Sequence, residues 1–166
     1  FHDSDLSGGG AFMDMGAHAV HLMRTFLGPV ESVCATIGNA AGIYADVDDY
    51  GTALFRFESG ALGVVEASWV QTGGGGGLEV TGSEGTLFDH PELGYAIAAP
   101  GKDPVPVAKG EEKPTRVERL LRSIRGEMAA DELAADLACA ADAVAIVEAC
   151  YASSEQKAWV DVAAMD

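Results

Sequence analysis

The sequence predicts an α+β fold, with helices packed on one face of an open, predominantly antiparallel sheet. Helical spacing of apolar residues occupies both ends of the chain, and an alternating pattern with a period of two runs from Val30 to about Ile97. The candidate strands are joined by short connections, and strands joined this way pair antiparallel because parallel pairing needs long crossovers. A helix, then strands, then helices is the usual α+β order. The opposite sheet face must then meet water or another subunit.

The first predicted helix follows Ser7-Gly8-Gly9-Gly10 and stops at Gly28-Pro29, with Ser7 as a possible N-cap. Its spacing divides the helix into an apolar side and a polar side. The apolar side consists of Phe12, Met15, Ala19, Leu22, Met23 and Phe26.

The strands are indicated most clearly at residues 50–58, where Gly51, Ala53, Phe55 and Phe57 alternate with more polar positions. A second strand follows Ser59-Gly60, and residues 78–81 and 86–89 flank a short hairpin connection. After a Pro-rich loop over 100–115, helices are predicted over 116–125 and 131–154, and a last strand over 159–162. The expected buried stripe of the long helix is Leu133, Leu137, Ala140, Val144, Val147 and Tyr151.

Length and charge restrict the function classes. The 166 residues suit a single domain over 1–166, and 10 basic against 26 acidic residues give a formal net charge of −16. Such a chain repels phosphate backbones and anionic lipid surfaces, so we expect no nucleic-acid partner and no membrane partner. No apolar run approaches the length of a membrane span.

The N-terminus lacks the features of a secretory signal, and Cys34, Cys139 and Cys150 are too few and too widely spaced for a disulfide framework. A cytoplasmic location fits these features, with the cysteines serving as small packing residues. Because the chain starts at Phe1 and its first methionine is Met13, we expect a fragment of a longer protein.

The polar side of the first helix is the main candidate site, with Asp14, His18, His21 and Thr25 on one stripe. Asp14 and His18 are one turn apart, so the carboxylate can orient the imidazole for acid–base catalysis near neutral pH. Two alternatives stay open at this point. The stripe could be a solvated helix face, or Asp14, His18 and His21 could bind a metal ion.

The glycines at 8–10 permit close approach of a ligand to the backbone, and a helix start offers free N–H groups; the alternative is an unusual entry turn. Neither this run nor Gly73–Gly77 has the Gly spacing and strand-turn-helix setting of a dinucleotide fingerprint. The long Gly run is more typical of a loop than of a phosphate cradle.

The segment Gly8-Gly9-Gly10-Ala11-Phe12-Met13-Asp14-Met15-Gly16-Ala17-His18 resembles the G-G-G-x-x-x-D-x-G-x-H segment of the glucose–fructose oxidoreductase / inositol dehydrogenase / rhizopine catabolism (Gfo/Idh/MocA) family. Similar order continues through the Asp48-Asp49 pair, Phe57–Gly63, Gly82–Leu87 and the closing Ala-rich helix. The resemblance covers nearly the whole chain and is to the family's C-terminal domain.

The resemblance implies an NAD(P)-dependent oxidoreductase of sugars or polyols, inactive without an N-terminal Rossmann domain that would hold most of the NAD or NADP. His18 would be the general acid/base, and Asp14 would contact substrate and polarise His18. His21, which stands where many members have Asp, would bind substrate with Gly9 and Gly10. The sheet face would form a homodimer or homotetramer. The alternative is a non-catalytic binding or oligomerisation module of the same fold.

Overall fold

A computed structural model describes residues 2–73, 76–108, 110–111 and 113–162, and its elements follow the predicted order. The chain divides into two compact units, Phe1–Gln71 with Arg122–Asp166, and Thr72–Leu121. One domain over 1–166 stays a prediction, since two compact units can belong to a single domain. In the first unit the elements are helix α1 (Ser4–Ser7), a π-helical turn (Phe12–Gly16), helix α2 (Ala17–Leu27), and strands β1 (Val30–Gly38), β2 (Tyr50–Phe57) and β3 (Leu62–Ser68).

The later elements are four short strands and two helices, and a last strand closes the chain. Strands β4 (Glu79–Gly82), β5 (Gly85–His90), β6 (Gly94–Ala98) and β7 (Val105–Pro106) belong to the second unit. Helix α3 (Arg116–Ile124) crosses the division between the units, and α4 (Ala130–Gln156) and β8 (Val160–Asp161) return to the first unit. The predicted α+β class is confirmed.

The strands form two antiparallel four-stranded sheets, in the orders β3-β2-β1-β8 and β4-β5-β6-β7. The alternating pattern predicted over residues 30–97 covers β1 to β6, but β7 lies in the segment predicted as a Pro-rich loop, and the pattern could not assign strands to sheets. In the first sheet, Ala53 pairs with Ala35 on one side and with Val65 on the other. The alternation predicted for residues 50–58 is confirmed, because Gly51, Ala53, Phe55 and Phe57 are all buried.

The core of the first unit lies between one face of its sheet and the helices α2 and α4. Its largest buried side chains are the rings of Phe12, Phe55 and Phe57. Full burial of each such ring contributes about 1.5–3 kcal/mol. The remaining members of this core are Val20, Val30, Val33, Ala35, Ala53, Val65, Ala67, Ala143, Ile146, Val147, Ala149 and Cys150.

The predicted buried stripes of both helices need correction. Met15, Leu22 and Phe26 were expected inside but are 52%, 39% and 62% exposed. In α4, Leu137 and Val144 are exposed, whereas the buried face runs through Ala143, Ile146, Val147, Cys150 and Ser153.

The predicted first helix is also interrupted. Ser7 ends α1 rather than capping a long helix, and a π-helical turn separates α1 from α2. None of the helices in the described ranges combines the length and apolar character that crossing a membrane requires.

All three cysteines are free, as predicted. Cys150 is fully buried, and burial raises the pKa of its thiol to about 12, so it acts as a packing residue. In the Gly73–Gly77 loop, Gly74 and Gly75 lie outside the described residues.

Candidate functional site

The glycine-rich turn before α2 is held by the carboxylate of Asp48. Gly10 N–H donates to Asp48 Oδ1 at 2.7 Å, Phe12 N–H donates to Oδ2 at 2.8 Å, and Ala11 N–H donates to the Asp48 carbonyl at 3.0 Å. An acidic side chain stabilises this helix start because it accepts from amides that have no partner within the helix. The prediction of free N–H groups at this turn is therefore wrong.

Tyr151 of α4 completes the support of this turn. Its hydroxyl donates to Asp48 Oδ1 at 2.7 Å and accepts from Met13 N–H at 3.2 Å. Burial and the hydrogen bond to Asp48 raise the pKa of the Tyr151 hydroxyl above its ordinary range. A Cβ atom at Gly10 would lie 1.9 Å from the Asp48 carbonyl oxygen, and one at Gly9 would lie 2.3 Å from the Tyr151 oxygen. Close packing thus explains both glycines, and their contact with substrate stays a prediction.

Asp14 lies within the π-helical turn, and its carboxylate is engaged by a residue from the end of β3. The indole N–H of Trp69 donates to Asp14 Oδ2 at 3.0 Å, and both side chains are half-buried. Asp14 and His18, both in the described part of the chain, share no hydrogen bond, and His18 is exposed. A π-helical turn changes the angle between residues on either side of it, so spacing counted on a regular α-helix does not hold across residues 12–16.

The Asp14 carboxylate lines an aromatic cleft of about 320 Å³. Three rings follow one another along it. The His2 and Tyr44 rings stack with centroids 5.3 Å apart, and the Tyr44 and Trp69 rings meet edge to face at 6.1 Å. The other lining residues are Ile43, Asp49 and Val70.

Asp49 supports both sides of this cleft from inside. Its buried carboxylate accepts from the N–H groups of Ala40 and Ala41 at 2.7 Å, while its carbonyl accepts from Trp69 N–H at 3.0 Å and from the Ser68 hydroxyl at 3.2 Å. Hydrogen bonds from Ala40 and Ala41 hold the pKa of the Asp49 carboxyl below its ordinary value. Asp49 thus forms hydrogen bonds both with the loop between β1 and β2, which carries Tyr44, and with the segment that carries Trp69.

The remaining members of the predicted polar stripe lie outside this cleft. His18 and His21 are exposed on α2, and neither lines the cleft. Thr25 instead faces α4, where its hydroxyl lies 3.4 Å from Cys139 Sγ. The bifurcated ion pair of Arg24 with Asp142, at 2.6 and 2.9 Å, joins the same two helices.

The metal-site alternative requires Asp14, His18 and His21 to lie together. Among the residues that the structure describes, no group of three or more His, Cys, Asp or Glu side chains is arranged to bind a metal. The set Asp14, His18 and His21 therefore does not fit a metal ion in this conformation.

The structural parts played by Tyr44, Asp48, Asp49 and Trp69 were not predicted from the sequence. Trp69 is 55 residues from Asp14 along the chain, and no spacing rule connects the two. The one available signal for Trp69 is its place at a strand end, because a half-buried indole needs an acceptor for its N–H group. For Asp48 and Asp49, two adjacent acids before a strand are a weak signal of loop anchoring.

Comparison with known proteins gives one family match. The sequence model of the GFO/IDH/MocA C-terminal domain matches residues 1–88, which is more than half of the 166 residues. No curated protein matches the chain in sequence.

Solved structures share the fold at low sequence identity. A levoglucosan dehydrogenase in complex with NADH and levoglucosan is 20% identical with a TM-score of 0.80, over 99% of this chain and 53% of that one. An NAD binding oxidoreductase from Klebsiella pneumoniae is 23% identical with a TM-score of 0.72, over 99% and 53% of the two chains. An oxidoreductase from Agrobacterium radiobacter, in complex with NAD+, L-tartaric acid and magnesium, is 19% identical with a TM-score of 0.66, over 91% and 48%. The chain therefore spans about half the length of these structures.

Proposed function

Because the chain belongs to the GFO/IDH/MocA family through its C-terminal domain, we propose that the intact protein is an NAD(P)-dependent oxidoreductase of sugar- or polyol-type hydroxyls. This chain would supply the substrate pocket and the group that handles the proton. The observation that carries the proposal is the Asp14 carboxylate in an aromatic cleft, four residues before an exposed histidine. Two of its structural neighbours are levoglucosan dehydrogenases in complex with NADH and either levoglucosan or L-sorbose, which supports the same class.

The cleft suits a hydroxylated ring. Three aromatic rings line it, and a few polar groups within an apolar cleft are the usual means of orienting a small ligand. Asp14 is such a group, because a carboxylate accepts hydrogen bonds from hydroxyls. In the proposal, substrate lies against this carboxylate and the ring of Tyr44 and extends out of the cleft toward His18.

His18 is the proposed acid/base. An imidazole can take a proton from a hydroxyl and return it near neutral pH, as reversible alcohol oxidation requires. His18 is exposed and makes no hydrogen bond to Asp14 in the described part of the chain, so its ring is free to meet a substrate hydroxyl. His21, one further turn along α2, is proposed to contact a second polar group of the substrate.

The glycine turn before α2 is a poor candidate for a nucleotide-phosphate site. Its amides at Gly10 and Phe12 donate to the Asp48 carboxylate. The proposal therefore assigns the NAD or NADP, whose nicotinamide would exchange hydride with substrate, to an N-terminal domain of the intact protein. This chain alone would therefore not convert substrate.

The test is a steady-state assay of the full-length protein against a panel of sugars and polyols with NAD or NADP. We expect turnover by the wild type, and we expect His18→Ala to lower kcat/KM by about 100-fold or more. His90→Gln is the matched control, because His90 lies in the second unit and its Nδ1 accepts from the amides of Glu92 and Leu93.

Two results would contradict the proposal. A His18→Ala enzyme with wild-type kcat/KM across the pH range would exclude the acid/base role. A well-folded wild type without nicotinamide-dependent turnover on the whole panel would favour a non-catalytic binding or oligomerisation module.

We also propose that the outer face of the first sheet joins subunits of a homodimer or homotetramer. Leu54 and Val64 are cross-strand partners there and are 46% and 57% exposed, and Leu62 is 77% exposed. Adjacent exposed apolar side chains are typical of an interface. Leu62→Glu should lower the molar mass measured by light scattering, whereas Leu6→Glu, at an 86% exposed residue of α1, should not. An unchanged mass for Leu62→Glu would exclude this face.

A further inference from the structure

Trp69 is the one side chain in the described ranges that fixes the Asp14 carboxylate by a hydrogen bond. Its indole N–H donates to Oδ2 at 3.0 Å. Asp14 Oδ1 accepts no hydrogen bond within the described residues, and the side chain lines the aromatic cleft. The carboxylate is therefore anchored through one oxygen while the other is left for a ligand.

The backbone around Trp69 and the ring of Trp69 both have partners that fix their positions. The backbone N–H of Trp69 donates to the Asp49 carbonyl at 3.0 Å. The amides of the two following residues, Val70 and Gln71, donate to the Ser68 hydroxyl at 3.1 and 3.2 Å. The edge-to-face contact with Tyr44 limits rotation of the ring.

Tyr44 in turn is held by the loop between β1 and β2. Asn39 bridges this loop, since its side-chain amide donates to the carbonyls of Tyr44 and Val47 and its Oδ1 accepts from Gly42 N–H. The Asp49 carboxylate fixes the start of the same loop through Ala40 and Ala41. Tyr44 therefore contacts Trp69 from a loop with several internal hydrogen bonds.

We propose that Trp69 is a positioning residue that orients the Asp14 carboxylate toward substrate. The inference rests on the proposed function and gives the Asp14 carboxylate an indole partner from the end of β3 in place of the expected partner His18. Trp69 would act through Asp14, so its N–H group matters only while that carboxylate is present. A preorganised acceptor binds a hydroxyl more tightly than a mobile one, because less side-chain freedom is lost on binding.

The experiment is a double-mutant cycle in the full-length enzyme with its best substrate. Trp69→Phe keeps an aromatic ring and removes the N–H donor. We expect KM to rise about 10-fold with kcat changed less than about 3-fold, since the lost hydrogen bond serves substrate binding. In an Asp14→Ala background, the same substitution should change kcat/KM by less than about 2-fold.

Controls separate positioning from a loss of folding. Trp159→Phe is the matched control, because Trp159 contacts the Arg56 guanidinium at 4.0 Å and does not line the cleft, so KM and kcat should stay at wild-type values. If Trp69→Phe lowers Tm, site-specific benzothienylalanine at position 69 replaces it. That analogue keeps the shape of indole and has sulfur where the N–H stands, and the same 10-fold rise in KM is expected.

The possible outcomes distinguish this inference from the proposed function. A wild-type KM for the benzothienyl enzyme, or equal effects of Trp69→Phe with and without Asp14, overturns the positioning role. If His18→Ala still loses activity in that case, the proposed function stands. Absence of turnover in the wild type overturns both.

Discussion

Asp14 lies in the turn before helix α2 and Asp48 contacts that turn from the loop between β1 and β2, yet their carboxylates have different partners. Asp48 accepts three hydrogen bonds from its own chain, from Gly10 N–H, Phe12 N–H and the Tyr151 hydroxyl. Asp14 accepts one, from the Trp69 indole, and it lines the aromatic cleft. The Asp48 carboxylate thus has internal donors on both oxygens, whereas Asp14 Oδ1 accepts no hydrogen bond among the described residues.

This difference separates an acid that supports the fold from one that is proposed to bind substrate. A carboxylate whose oxygens accept hydrogen bonds from internal donors stabilises the fold. A ligand could bind to it only if those hydrogen bonds were broken. Asp49, with two backbone donors on its carboxylate, resembles Asp48 in this respect. Substitutions at the two kinds of acid should therefore separate stability from activity.

Asp48→Ala should have the largest effect on stability. It leaves the amides of Gly10 and Phe12 and the Tyr151 hydroxyl without their acceptor, and unpaired donors in a part-buried region are costly. We expect a loss on the order of 3 kcal/mol or more in the free energy of unfolding. Urea denaturation followed by circular dichroism measures it.

The control for that experiment is Asp5→Ala, because Asp5 is exposed and its side chain accepts no hydrogen bond among the described residues. Its midpoint in urea should match the wild type. Equal stabilities of Asp48→Ala and Asp5→Ala would contradict the supporting role of Asp48.

The fold was predictable wherever one face of an element is buried and the other is not. In β2 the small and aromatic residues Gly51 and Phe55 alternate with polar positions, so the period of two predicted both the strand and its buried face. The long helix α4 shows the opposite case. Alanine occurs on all of its sides, so apolar spacing could not fix which face turns inward, and the prediction chose Val144 where Ala143 is buried.

The candidate site was predictable only in part, for a related reason. The spacing from Gly10 to Asp14 and His18 lies within one segment, and a local pattern can show it. The partners of that segment come from far along the chain, Asp48 by 38 residues from Gly10 and Trp69 by 55 residues from Asp14. These contacts depend on strand pairing and on the π-helical turn, neither of which has a local sequence signature here.

Tyr151→Phe should have a smaller effect that refines the comparison of the two acids. It removes one of the three donors to Asp48 and leaves Met13 N–H without its acceptor, but it retains both backbone bonds to the carboxylate. We expect unfolding to become easier by about 1–2 kcal/mol, with KM and kcat of the intact enzyme unchanged within about 2-fold. Tyr50→Phe is the matched control, since the Tyr50 hydroxyl makes no hydrogen bond within the described ranges. A Tyr151→Phe enzyme with wild-type stability and a raised KM would mean that the Asp48 side of the turn serves the substrate, and the distinction between Asp48 and Asp14 would fail.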